Sequence, residues 1–169
     1  MKRRIAVLGL CLAAVVPGLG YRAYAGMRAQ DRRNVRQQLA TLHFAPFAYQ
    51  KVVYHITGGG GWFAQHYFHV VDSIKNHLDA VGDHNIDLRV VLQARGIALL
   101  EDAETNAALA HKIDALRRRG VRFLVCRNSL IGGGVEPSKL YGLKNGDIVE
   151  AGVAEVAALE ARGFVYLKM

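Results

Sequence analysis

Short β-branched runs alternate with helical periodicity from residue 51 to the end of the chain, and that alternation leaves few folds open. Lys51-Val52-Val53-Tyr54-His55-Ile56-Thr57 is rich in residues that suit a pleated, buried strand. From Trp62 to Val81 apolar residues recur at Phe63, Tyr67, Val70, Val71, Ile74, Leu78 and Val81. These steps of three, four and seven line one face of a helix, which Gly82 stops. Ile86 to Leu92 is a second strand, Gln93-Ala94-Arg95-Gly96 turns off it, and Ile97 to Leu100 predicts a short turn on the sheet edge. Thr105 to Arg119 reads as a second helix and Val121 to Val125 as a third strand. Pro137 to Tyr141 predicts a short helix, Asp147 to Val149 a short strand, Ala151 to Arg162 an amphipathic helix and Phe164 to Leu167 the last strand. Strands separated by helices predict an α/β fold, with a mainly parallel sheet of five strands covered by helices on both faces.

The first 50 residues follow other rules. Met1-Lys2-Arg3-Arg4 is basic, Ile5 to Val16 is apolar, Pro17-Gly18-Leu19-Gly20 predicts a break in the helix, and Ala23-Tyr24-Ala25 has the form of a cleavage site. Residues 1–25 thus have the pattern of a secretory signal, with an apolar run short for a membrane span. The expectation is an exported, periplasmic protein. If the segment is retained, it anchors the chain in the inner membrane, facing the periplasm. Residues 26–50 predict a basic linker and lead-in, partly helical.

Charge follows the same division. Lys2, Arg3, Arg4 and Arg22 are four of the 22 basic residues, leaving 18 against 14 acidic ones. Arg28, Arg32, Arg33 and Arg36 against Asp31 account for most of that excess, and from Lys51 onward the two signs nearly balance. The high pI belongs to the N-terminal segment and does not argue for nucleic-acid binding. The basic cluster is either a solvated helix face or a contact for anionic head groups.

Cys11 lies in the apolar run, so Cys126 is the one cysteine expected in a processed chain. It ends the apolar run Phe123-Leu124-Val125 and precedes Arg127-Asn128-Ser129 and three glycines, Gly132 to Gly134. A strand that delivers a thiol to its C-terminal end places it where open α/β sheets bind ligands. Arg127 and the backbone N–H groups of a helix-like start at Asn128-Ser129 are the groups expected to favour a thiolate. The other reading is a small buried hydrophobe.

Two weaker patterns accompany it. Gly58, Gly59, Gly60 and Gly61 lead into Trp62-Phe63-Ala64, giving the form G-x-G-x-x-A between a strand and a helix. The acid expected at the end of strand two is replaced by Leu92 and Gln93, so the loop reads as flexible, with room for a small anion. His66 and His69 lie one helical turn apart and, with His55, form a thin candidate metal set lacking any carboxylate or cysteine. His55 at strand one and Cys126 at strand three are expected to converge on the same sheet edge, the placement a thiol–imidazole pair needs. No motif asks for a cofactor, and no serine-hydrolase, zinc-protease, nucleotide-triphosphatase or C-x-x-C pattern is present.

Together these segments resemble the DsrE/DsrF-like family. The resemblance rests on Val52-Val53-Tyr54-His55-Ile56, Ile74-x-Asn76-His77-Leu78, Val90-Val91-Leu92 and Gly96-Ile97-x-Leu99-Leu100. It continues through Gly120-Val121-x-Phe123-x-Val125-Cys126-x-Asn128-Ser129-Leu130, Ala151-Gly152-Val153-Ala154-Glu155-Val156 and Gly163-Phe164-Val165-Tyr166-Leu167-Lys168. It covers residues 51–169 and is best with the exported subgroup, which carries a signal peptide and a cysteine-x-asparagine-threonine segment. Ser129 stands where that threonine is usual, and Gly58 to Gly61 replace a loop that is usually polar and acidic. The resemblance implies a three-layer α/β/α domain with a five-stranded sheet, assembled as trimers or hexamers. It also implies relatives that carry sulfur as a cysteine persulfide, with donor and acceptor proteins as partners, on a thiol that by position is Cys126. Three functions follow as expectations: sulfur transfer through Cys126 with His55 moving a proton, a non-catalytic oligomeric module that binds a small anion or a partner around a buried cysteine, and metal binding by His55, His66 and His69.

Overall fold

The computed structural model describes residues 17–61 and 64–169. The apolar run Ile5 to Val16, Cys11 and the Trp62-Phe63 pair lie outside the described residues. The chain divides into two units, residues 1–45 and 46–169.

In the first unit one helix, α1 (Pro17–Leu39), runs through the segment expected to break it. The cost of Gly18 and Gly20, roughly 1 kcal/mol each, is within what a long helix tolerates. Among the described residues no helix is long and apolar enough to cross a membrane.

The second unit carries the sheet. Its strands are β1 (Gln50–Ile56), β2 (Ile86–Leu92), β3 (Arg122–Cys126), β4 (Ile148–Val149) and β5 (Val165–Lys168). They lie in the order β4-β3-β2-β1-β5, and every pairing is parallel. The helices are α2 (Gln65–Val81), α3 (Ala98–Thr105), α4 (Ala107–Arg118), α5 (Arg127–Gly133) and α6 (Gly152–Ala161).

Side-chain alternation sorts the core into two layers. Val52, Tyr54 and Ile56, with Leu88, Val90, Leu92, Phe123 and Val125, point to one face and pack under α2, α3 and α4. Val53, Val91 and Leu124 point to the other and meet Val156 and Leu159 of α6. The central strands are apolar on both faces because both faces are covered. Each large aliphatic side chain so buried contributes about 1.5–3 kcal/mol relative to exposure.

Two local departures from the sequence expectation have clear causes. The segment expected as a turn at Ile97 to Leu100 opens a true helix, α3, which buries Leu99, Leu100 and Ala103. Asn106 then separates it from α4, its side-chain oxygen accepting the Leu109 N–H at 3.2 Å, as an N-cap residue does. Gly132 and Gly133 lie inside α5 rather than in a loop, and Gly134 ends the helix in the left-handed region (φ 62°).

Gly96 fixes how the turn after β2 meets β1. A Cβ there would stand 2.0 Å from the Ile56 carbonyl oxygen, so only glycine allows this approach. The turn it belongs to, Ala94–Ile97, forms one wall of the sheet's C-terminal rim.

Candidate functional site

Cys126 ends β3 and is the residue from which α5 starts. Its strand neighbours Leu124 and Val125 are buried on opposite faces, which sets the thiol on the face covered by α6. It is only 2% exposed. Burial by itself pushes the thiol up, but four hydrogen bonds outweigh it and hold it below its ordinary value. They come from the Ser129 hydroxyl and the backbone N–H groups of Gly152, Ser129 and Asn128. The Ser129 hydroxyl is oriented for this work, because its oxygen accepts the Ala94 N–H at 2.8 Å and its proton is left for the sulfur.

The Gly152 N–H comes from the start of α6 and approaches closely. A Cβ at Gly152 would lie 3.0 Å from Gln93 Oε1 and 3.3 Å from the Cys126 Cβ. Gln93 stands one residue beyond the Leu92–Val125 pair of β2 and β3, beside the thiol in the same layer. Its Oε1 lies 2.9 Å from Nε2 of His55. His55 Nδ1 in turn lies 3.2 Å from the Tyr166 hydroxyl, and the two rings meet edge to face. With Gln93 Oε1 as acceptor, His55 carries its proton on Nε2 and accepts at Nδ1 from the tyrosine. The rim on the α6 side is therefore a row: Tyr166, His55, Gln93, Gly152, Cys126.

The sequence candidates fall into three groups. Cys126, Asn128 and Ser129 meet directly. His55 is buried at the end of β1 and reaches the thiol side through Gln93. Arg127 is turned away: its side chain is 56% exposed and lies 3.9 Å from Glu150, while the groups bonded to the sulfur are the ones named above. His66 and His69 are exposed on α2, which covers the opposite face from His55, so the three histidines do not assemble. Among the described residues no group of three or more His, Cys, Asp or Glu side chains is arranged to hold a metal.

Gly58 to Gly61 cap the other side of the rim. The Tyr67 hydroxyl donates to the Gly58 carbonyl (3.1 Å) and the Arg95 carbonyl (2.8 Å), tying the loop to the turn after β2. The His66 N–H is satisfied by the Gly60 carbonyl at 3.0 Å, so the loop itself occupies one of the amides that an anion at the start of α2 would use.

Sequence reasoning missed Gln93, Gly152 and Tyr166. Gln93 and Gly152 were visible as residues but silent as chemistry, since an amide and a glycine carry no motif. The signal for Gln93 was the parity of β2, which puts it in one layer with Val91 and hence with the thiol.

Comparisons with known proteins agree with this architecture. The model of the DsrE/DsrF-like family matches residues 70–168. The structure of MTH1491 from Methanobacterium thermoautotrophicum, described as a protein of unknown function, is similar to this one with a TM-score of 0.58 and 23% identity. The likeness covers 71% of this chain and 99% of that one, and at this identity it concerns the fold. No curated protein matches the chain. The family match takes in β2 through β5 with the helices between them, most of the sheet and the whole surroundings of Cys126, and on it the chain belongs to the DsrE/DsrF-like family.

Proposed function

We propose that the protein handles sulfane sulfur, holding it as a persulfide on Cys126. The family suggests a role related to sulfur metabolism. The observation that carries the finer reading is the set of four hydrogen bonds that holds a buried thiol below its ordinary value. A buried cysteine that served only as packing would have its thiol pushed up. In the transfer, the Cys126 thiolate attacks the outer sulfur of a donor RSSH. The donor S–S bond breaks, its electron pair leaves on RS⁻, and the new Cys126–S–SH keeps the donor's proton. No oxidant or reductant is consumed. His55 is linked to the thiol side of the rim through Gln93, and Arg127, directed to Glu150, takes no part in the step.

The proposal extends to setting. The signal pattern of residues 1–25 supports export to the periplasm, and retention of that segment would make the protein membrane-anchored. The exposed apolar side chains Val165 and Tyr166 of edge strand β5 and Val153 of α6 support a homo-oligomer, a trimer or hexamer. Light scattering after size exclusion tests the latter.

Mass spectrometry of the native chain after exposure to polysulfide tests the chemistry. The expected product gains about 32 Da per sulfur, and the gain disappears in Cys126→Ser. A folded chain whose Cys126 resists both polysulfide and alkylation would overturn the proposal. The 2% exposure of Cys126 favours the second reading in that event: a non-catalytic binding module in which Cys126→Ser lowers stability.

A further inference from the structure

Ser129 has two sides. One holds the thiol, and the other lines a groove of about 600 Å³ between the glycine loop at Gly59, the turn Ala94–Ile97, the start of α3 and the glycines of α5. That volume lies in the range that takes a small molecule. The walls are mostly aliphatic or glycine backbone, and they carry two charged side chains of opposite sign, Arg95 and Glu101.

Neither head group has an ion-pair or hydrogen-bond partner among the described residues. The ion pairs of the domain lie elsewhere: Arg119 with Asp79 and Asp83, Arg122 with Asp147, Arg162 with Glu155. Both nevertheless act on one small region. Burial and then Asp102 and Glu101 push the Tyr67 phenol well above its ordinary range, while Arg95 pulls it back. An apolar groove with one unpaired cation and one unpaired anion is matched by a ligand that carries both charges.

We propose that this groove binds a low-molecular-weight thiol, or its persulfide, bearing a free α-ammonium and α-carboxylate, with cysteine and glutathione as the simplest cases. The carboxylate meets Arg95, the ammonium meets Glu101, and the sulfur end lies toward Ser129. An inorganic sulfur oxyanion such as thiosulfate satisfies Arg95 but is repelled by Glu101, so the same pair of charges selects against it. The interest of the ligand rests on the persulfide reading of Cys126, because the wall between groove and thiol is the Ser129 side chain. The binding itself does not use the thiol.

The test separates the two. The full chain carrying Cys126→Ser is titrated calorimetrically with reduced glutathione, with cysteine and with thiosulfate. Saturable binding of at least one aminothiol, about tenfold or more tighter than thiosulfate, is expected. Glu101→Gln should weaken the aminothiol about tenfold and tighten thiosulfate, while Arg95→Gln should weaken both. Absence of aminothiol binding, or binding that neither variant changes, overturns the proposal. Glutathione persulfide is then offered to the unmodified chain. Binding without a mass gain on Cys126 supports the groove while removing the carrier function, and a mass gain from polysulfide without aminothiol binding removes the groove while supporting the carrier.

Discussion

Ser129 decides how acidic Cys126 is, because its hydroxyl supplies the only side-chain hydrogen bond among the four on the sulfur. A thiol held below its ordinary value is more fully ionised at neutral pH than free cysteine, so its alkylation rate should reach half-maximum at a lower pH. In Ser129→Ala that midpoint should move upward, slowing alkylation at pH 7, with the backbone amides of Gly152, Ser129 and Asn128 still in place. Iodoacetamide kinetics from pH 5 to 10 on the two chains would show it, and identical midpoints would remove the hydroxyl from the account. At this scale the sequence was legible where chemistry marks a residue. Cys126, Asn128 and Ser129 announced themselves, and Arg127 did too, yet its side chain points to Glu150. Gln93 and Gly152 matter through where two separate segments bring them, which no local pattern encodes.

Elements tell a different story, since periodicity reports what a segment buries. The strands and long helices lie within a few residues of their expected places. The exceptions are the short helices α3 and α5, whose eight and seven residues offer too few turns for a period to show. Gly96 holds the start of this region against β1. Gly96→Ala would drive a Cβ into the Ile56 carbonyl, and the loss of stability should reach or pass the upper end of the roughly 1–3 kcal/mol usual for overpacking. Urea unfolding of the two chains measures it. The joint between α2 and β1 is polar: His77 lies 2.9 Å from the Tyr54 hydroxyl and 2.7 Å from Gln50 Oε1. Burial lowers His77 from its ordinary value, so the unfolded chain takes up that proton at a higher pH than the folded one. This contribution is therefore complete above an unperturbed imidazole value of about 6.5 and is lost as pH falls through the lower folded value. Thermal midpoints should fall between about pH 7 and 5, and less steeply in His77→Gln. Asp79 and Asp83, held below the ordinary carboxylate value by hydrogen bonds from Lys75 and Arg119, stay charged through that window.

The whole molecule is set by a sheet order that element types alone do not determine. Four strands march outward from β1 to β4, and the fifth returns to the far side of β1. Pairing between strands so far apart in sequence depends on the packed domain, and the alternating pattern is compatible with other orders. The buried core of the sheet unit contains no residue before Val52. A chain of residues 46–169 should accordingly fold alone, with a cooperative thermal transition by circular dichroism, and a non-cooperative transition would count against the division into units. The return of β5 has a consequence in time. His55 and Tyr166 touch across 111 residues of sequence, and the Gly152 N–H that helps to acidify the thiol arrives on the same late segment. During synthesis Cys126 is made before α6 and β5, the segments that complete its surroundings. Until α6 has docked, the sulfur lacks the Gly152 hydrogen bond, and the full set of four is complete only in a molecule that has finished folding.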